Sequence, residues 1–138
     1  MEQLAVEIVG LCREYGECRV EVERMEEARR VKNALESVCA MARQRLDISD
    51  PALLLALLDA CEVTRDEGML QEVLDVVGRN LDRLAVSVES VKLLACCYYY
   101  VEEEECAERA RRMLEELRKL GMGEEELADA ETILEELT

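Results

Sequence analysis

The sequence contains no histidine, no tryptophan and no phenylalanine, and only one proline and six glycines. Without histidine there is no His-dependent catalytic triad, no Cys–His nucleophile pair and no histidine-ligated metal. A sheet protein needs many turns, so the scarcity of proline and glycine argues against one. The apolar half of the chain is mainly leucine, valine, alanine, methionine and cysteine, which suits helix-on-helix packing. The composition therefore predicts an all-α protein.

The charge is strongly one-sided, with 33 acidic and 17 basic residues and a formal net charge of −16. A surface of this sign repels nucleic acid phosphates and anionic lipids, so we expect neither nucleic acid nor membrane as a partner. It favours a protein or peptide partner that is basic. Abundant surface charge is also a thermophile-like adaptation to heat or salt that requires no partner. Both explanations stay open at this point.

The seven cysteines fall mostly at apolar helical positions, where a thiol behaves as a small hydrophobe. Residues 1–8 carry two glutamates and no basic start, so we expect no secretory signal. No apolar run approaches the roughly 20 residues of a membrane-spanning helix. These features predict a reduced, cytoplasmic protein and leave open whether any cysteine pair is oxidised.

The apolar spacing predicts about seven helices in a single domain, as hairpins over residues 1–47, 50–85 and 87–121 and a capping helix over 124–138. Asp50 and Ser87 are expected N-caps, Pro51 suits a first helical turn, and Gly16 and Gly121 are expected stops. The predicted helices are residues 2–15, 19–46, 51–64, 69–84, 88–101, 106–120 and 124–137. The third is apolar nearly all round, which predicts either the centre of the fold or part of a homo-oligomer interface.

The chain also matches itself when it is shifted by 36 residues. Leu57 then lies over Leu93, and Cys61 lies over Cys97. A period in the mid-thirties with two helices per unit is typical of helical repeat arrays, whose neighbouring units complete each other's core.

Residues 93–117, "LLACCYYYVEEEECAERARRMLEEL", contain a small residue, a tyrosine and a polar corner, followed by Ala110, Leu114 and Leu117. In this order and spacing the segment resembles a tetratricopeptide (TPR) unit. The resemblance implies a right-handed stack of antiparallel helix pairs, with a concave groove that holds a peptide or a partner helix. Our first hypothesis is therefore a protein–protein interaction module that is more an adaptor than an enzyme, with no catalytic residue, metal ligand or cofactor.

Three consecutive tyrosines precede four glutamates at the corner of this unit. Three successive residues span about 200° of helix, so the three rings cannot share one buried stripe. If Tyr98 points inward, Tyr99 or Tyr100 faces a groove or solvent, unless it packs on the neighbouring hairpin with its hydroxyl at the rim. An exposed tyrosine beside carboxylates can bind arginine or lysine by cation–π contact and ion pairing. The candidate partner-binding residues are Tyr99, Tyr100, Glu102, Glu103, Glu104 and Glu105.

A second hypothesis concerns carboxylates on two consecutive predicted helices. Glu104, Glu105 and Glu108 form an EExxE pattern, and Glu126 and Asp129 form an ExxD pattern. The pair resembles the all-α nucleotide pyrophosphohydrolases of the MazG type. The resemblance implies that these five carboxylates bind Mg²⁺ against a nucleoside triphosphate. Because 26 residues are glutamate, EExxE is expected about once and ExxD about once or twice by chance, so a solvated acidic face is the preferred explanation of both patterns.

Overall fold

The structure is a computed structural model that describes residues 2–138; Met1, which the predicted first hairpin includes, lies outside them. The described residues form seven α-helices and no strand, which confirms the all-α prediction. The helices are α1 Glu2–Cys18, α2 Met25–Arg43, α3 Pro51–Thr64, α4 Glu67–Arg79, α5 Val88–Val101, α6 Glu104–Lys119 and α7 Glu124–Leu137. In the described chain none of them has the length and apolar character needed to cross a bilayer.

The helices that begin after a side-chain cap have the predicted bounds. The Asp50 carboxylate accepts a hydrogen bond from the Leu53 N–H at 3.2 Å, which fixes the start of α3. The Ser87 hydroxyl oxygen accepts from the Ser90 N–H at 3.1 Å and fixes the start of α5 in the same way. A cap satisfies one of the otherwise unpaired N–H groups of the first turn. Local chemistry therefore determines these two boundaries.

The first hairpin differs from the prediction. Helix α1 continues through Gly16, whose φ is not positive, and the predicted helix 19–46 is broken by a 3₁₀ turn at Val22–Arg24. The Arg24 Nε donates a hydrogen bond to the Glu27 carboxylate at 2.9 Å, so an ion pair between side chains lies at the start of α2. Val20 and Met25, apolar residues within the predicted helix, are exposed. Glycine commonly ends a helix where the backbone must adopt the left-handed conformation. The backbone at Gly16 does not adopt it, so the helix continues.

Helices α4 and α6 both begin two residues earlier than predicted, at Glu67 and Glu104. Carboxylates are stabilised in the first turn of a helix by its macrodipole, so the glutamates that were expected to form the corner extend the helix instead. Helix α4 also ends early, at Arg79. The Asn80 amide donates to the Val76 carbonyl at 2.7 Å, and the chain then enters a 3₁₀ turn at Leu81–Arg83.

Helices α3 and α5 are equivalent along their whole length. Each has 14 residues, and they begin 37 residues apart. Two residues separate each of them from the helix that follows. Each ends at a non-glycine residue in the left-handed conformation, Arg65 with φ 59° and Glu102 with φ 52°. The N–H groups of these two residues donate to the carbonyls of Cys61 and Tyr98, both at 2.7 Å. The period is therefore 37 residues, and the 36-residue match, which pairs Cys61 with Cys97, is wrong by one position.

The chain divides into two compact units, the first ending at Val73 and the second comprising Leu74–Thr138. In the first unit α1 packs against both α2 and α3, and in the second unit α5 packs against both α6 and α7. The largest fully buried side chains of the first unit are Ile8, Leu35, Leu53, Leu54, Leu57, Met69 and Val73, and those of the second are Val77, Leu93, Leu94, Met113 and Leu127. All α3 leucines except the half-buried Leu55 are buried within the single chain, so they form no exposed interface.

Candidate partner-binding site

The six candidate partner-binding residues lie together at one end of the α5–α6 hairpin. Only Glu102 and Glu103 connect the two helices, which pack side by side. A connection this short brings the end of one helix next to the start of the following one. Tyr99 and Tyr100 occupy the last turn of α5, and Glu104 and Glu105 occupy the first turn of α6. We call this set the acidic–aromatic corner.

The tyrosines of the corner differ in exposure. Tyr99 is 56% exposed, whereas Tyr98 and Tyr100 are half-buried. The rings of Tyr99 and Tyr100 lie edge to face, with centroids 5.2 Å apart and planes at 81°. This is a favourable geometry for two aromatic rings, because the positive edge of one meets the negative face of the other. Tyr100 thus supports an aromatic side chain that projects into solvent.

The four carboxylates of the corner are all exposed. Among the described residues, one cation lies within ion-pair distance of them: the Arg111 guanidinium, 3.5 Å from the Glu104 carboxylate. Arg111 is on the same helix, seven residues after Glu104, so its long side chain extends back along α6 to reach the carboxylate. The positive end of the α6 dipole further compensates the cluster. The corner therefore keeps a net negative charge that a basic group can approach from solvent.

The sequence patterns did not single out Val101, which is also exposed at this corner. It is the last residue of α5 and lies between the tyrosines and Glu102. A valine at the end of an apolar stripe is expected to be buried, but Val101 is exposed and is followed by the left-handed residue Glu102. An aliphatic stem of a lysine or arginine can pack on such a side chain while its charge stays in water.

The carboxylates of the hydrolase hypothesis are arranged differently. All five are exposed, namely Glu104, Glu105, Glu108, Glu126 and Asp129. The Asp129 carboxylate lies 3.9 Å from the Lys92 ammonium group of α5, and Glu104 pairs with Arg111. In the part of the chain that the structure describes, no group of three or more cysteine, aspartate or glutamate side chains is placed to hold a metal ion. These residues do not fit a Mg²⁺ site as the structure places them, and no hydrolytic step follows from them.

All seven cysteines are free thiols, and six of them are buried. Burial raises the pKa of Cys12 to about 12 and that of Cys39 to about 11, and it also raises the pKa of Cys97. A thiol is nucleophilic as its thiolate, which these environments disfavour at neutral pH. The buried cysteines therefore act as small apolar side chains in the packing of the helices.

No protein family, curated protein or solved structure matches this chain. The TPR-like stacking of hairpins accordingly stays a prediction from the sequence. The geometry of the acidic–aromatic corner is then the main guide to function.

Proposed function

We propose that this protein is a non-enzymatic interaction module that binds a basic segment of another protein at the acidic–aromatic corner. The observation that carries the proposal is the exposed Tyr99 ring beside four exposed carboxylates that have one neighbouring cation. A bound arginine could place its guanidinium over the ring while it donates hydrogen bonds to the carboxylates. Arginine suits the corner better than lysine because its planar group both stacks and forms bidentate pairs.

The expected affinity is modest and depends on salt. An exposed cation–π contact contributes about 0.5–1 kcal/mol, and each exposed ion pair contributes about 0.2–1 kcal/mol. One cation–π contact and three ion pairs together contribute at most about 4 kcal/mol, which corresponds to a dissociation constant of about 1 mM, so a tighter complex also needs apolar contacts. Since exposed charges are screened over about 8 Å at physiological ionic strength, raising the salt concentration should weaken the complex.

The chain contains a matched control for a test of this proposal. Residues 124–126 are three exposed glutamates in the first turn of α7, without a neighbouring tyrosine. A triple substitution to glutamine there and one at residues 103–105 change the net charge equally. Partners captured from a lysate at low salt and released at high salt supply the basic peptide, whose affinity is then measured by fluorescence anisotropy.

We expect the triple variant at residues 103–105 to bind this peptide about tenfold more weakly and the control triple variant to change the affinity less than about twofold. Tyr99→Ala should weaken binding about three- to fivefold, as the loss of one cation–π contact requires, and Tyr99→Phe should retain most of the affinity. Equal losses in the two triple variants would show that the bulk charge, and not the corner, attracts the partner.

A further inference from the structure

The second unit has another surface, an open cleft of about 410 Å³ between α6 and α7. Its floor contains the buried residues Leu114 and Leu134. Its rim has two arginines on the α6 side and two glutamates on the α7 side. The lining residues are Arg111, Leu114 and Arg118 from α6 and Glu131, Leu134, Glu135 and Thr138 from α7 and the residue after it.

Helix α7 has the form of the first helix of a hairpin. It has 14 residues, as α3 and α5 do, and it packs against α5 as α3 packs against α1. The three helices of the second unit thus repeat the arrangement of α1, α2 and α3 in the first. The α6–α7 cleft corresponds to the surface between α2 and α3.

In the first unit, the chain that continues from α3 into α4 pairs with the last residue of α2. The Arg43 guanidinium of α2 lies 3.5 Å from the Asp66 carboxylate and also bonds the Glu72 carboxylate of α4. Met69 and Val73, on the same helix, are buried. The arginine at the end of α2 therefore anchors α4 through one carboxylate just before the helix and one on it, beside its buried apolar side chains.

Arg118 is the equivalent of Arg43. Four buried residues of α2 have steps of four, four and three residues and are followed at once by Arg43, and four buried residues of α6 have the same steps and are followed by Arg118. These residues are Val31, Leu35, Cys39 and Ala42 in α2, and Cys106, Ala110, Leu114 and Leu117 in α6; α2 also buries Ala28, and α6 also buries Ala107 and Met113. Arg43 pairs with two carboxylates and is 33% exposed, whereas Arg118 pairs with Glu131 and is 49% exposed. A guanidinium has five N–H donors, so Arg118 can donate hydrogen bonds to a second carboxylate as well.

We propose that the α6–α7 cleft binds an α-helix of a partner protein with the chemistry of α4. Such a helix carries apolar side chains spaced as Met69 and Val73 are, and a carboxylate that reaches Arg118. A second copy of this chain is a poor occupant, because its own α4 already buries those two side chains and would have to leave its place. The proposal relies on a different charge from the acidic–aromatic corner. Arg111 lines the cleft and also pairs with Glu104 of the corner, but the anchoring Arg118 is about 21 Å from Glu104 along α6, and it binds an acidic group where the corner binds a basic one.

The probe is a capped peptide with the sequence of residues 66–80 of this chain, added to the full-length protein. We expect it to shift the amide NMR signals of Leu114, Leu134 and Thr138 and to leave residues 102–105 unchanged. Arg118→Glu should weaken binding at least about tenfold, because the mutant carboxylate repels the Glu72 side chain of the peptide. The matched control Arg112→Glu, on an exposed position of α6 outside the cleft, should change binding less than about twofold.

A charge exchange completes the test. A peptide carrying Glu72→Lys should bind Arg118→Glu better than the wild-type protein, provided circular dichroism shows the variant to be folded. No binding of the wild-type peptide up to about 1 mM, an unchanged affinity in Arg118→Glu or a failed charge exchange would each overturn the proposal. Self-association of the protein that Arg118→Glu abolishes would assign the cleft to a second copy, which also overturns it. Because binding of basic peptides at the corner is measured separately, either proposal can fail alone.

Discussion

The two left-handed corner residues allow a quantitative test of the backbone. Glu102 has φ 52° and Arg65 has φ 59°, and both have side chains that disfavour this conformation. Replacing Glu102 with glycine removes a conformational cost of about 1–2 kcal/mol. The same change gives the unfolded chain more freedom, which costs about 0.4–1 kcal/mol. The net expectation is a rise of about 0.5–1 kcal/mol in the free energy of unfolding, or about 2–4 °C in Tm.

The assay is denaturant unfolding followed by far-ultraviolet circular dichroism, with three variants. Arg65→Gly should be stabilised by a similar amount, because it occupies the equivalent corner. Glu102→Ala keeps the left-handed conformation and removes only the carboxylate, so its free energy of unfolding should stay within about 0.5 kcal/mol of wild type. A clear loss of stability in both glycine variants would refute the assignment of these corners as strained. A loss in Glu102→Gly alone would show that the Glu102 side chain holds its corner.

Three further predictions concern single side chains. Ser87→Ala should lower the free energy of unfolding by about 1–2 kcal/mol in the same assay, because it removes the α5 cap and the hydrogen bond to the buried Ser90 hydroxyl. The hydrogen bond from Arg43 lowers the pKa of Glu72 in the folded protein. This pair therefore stabilises the fold fully above the unfolded glutamate pKa of about 4.3, and the stabilisation is lost as the pH falls through the lower pKa of the folded state. Unfolding at a series of pH values should show this loss in the wild type and a smaller one in Glu72→Gln. In native thiol labelling followed by mass spectrometry, the half-buried Cys96 should react before the other cysteines; faster reaction of a buried thiol would contradict the packing described.

The sequence was a good guide wherever a boundary depends on neighbouring residues. Asp50 with Pro51 predicted the start of α3, and Ser87 predicted the start of α5, because a cap acts through its own side chain on the following turn. Gly16 misled the prediction, since glycine permits a stop without requiring one. The repeat was visible, but the coincidence of Cys61 with Cys97 set its period one residue short, and the shared left-handed corners that correct it involve Arg65 and Glu102, which are not typical of that conformation.

The candidate site, too, was predictable from the sequence only in part. Its residues are contiguous in sequence, so their proximity followed once the hairpin was predicted. Which tyrosine is exposed depends on how α5 packs against α6 and α7, which a single stripe of apolar residues does not determine. The occupant proposed for the α6–α7 cleft could not be predicted, because it depends on the equivalence of Arg43 and Arg118, residues 75 positions apart in helices whose lengths differ.

The matching caps of α3 and α5 also bear on how such a chain can change length. Asp50 and Ser87 precede their helices by one residue, so joining Asp50 directly to Val88 preserves a capped helix start and deletes one 37-residue period. Duplicating the same segment preserves both boundaries equally. Unequal recombination between the two gene segments that encode this repeat would thus add or remove a whole hairpin. The helix caps and left-handed corners of the remaining hairpins would be unchanged.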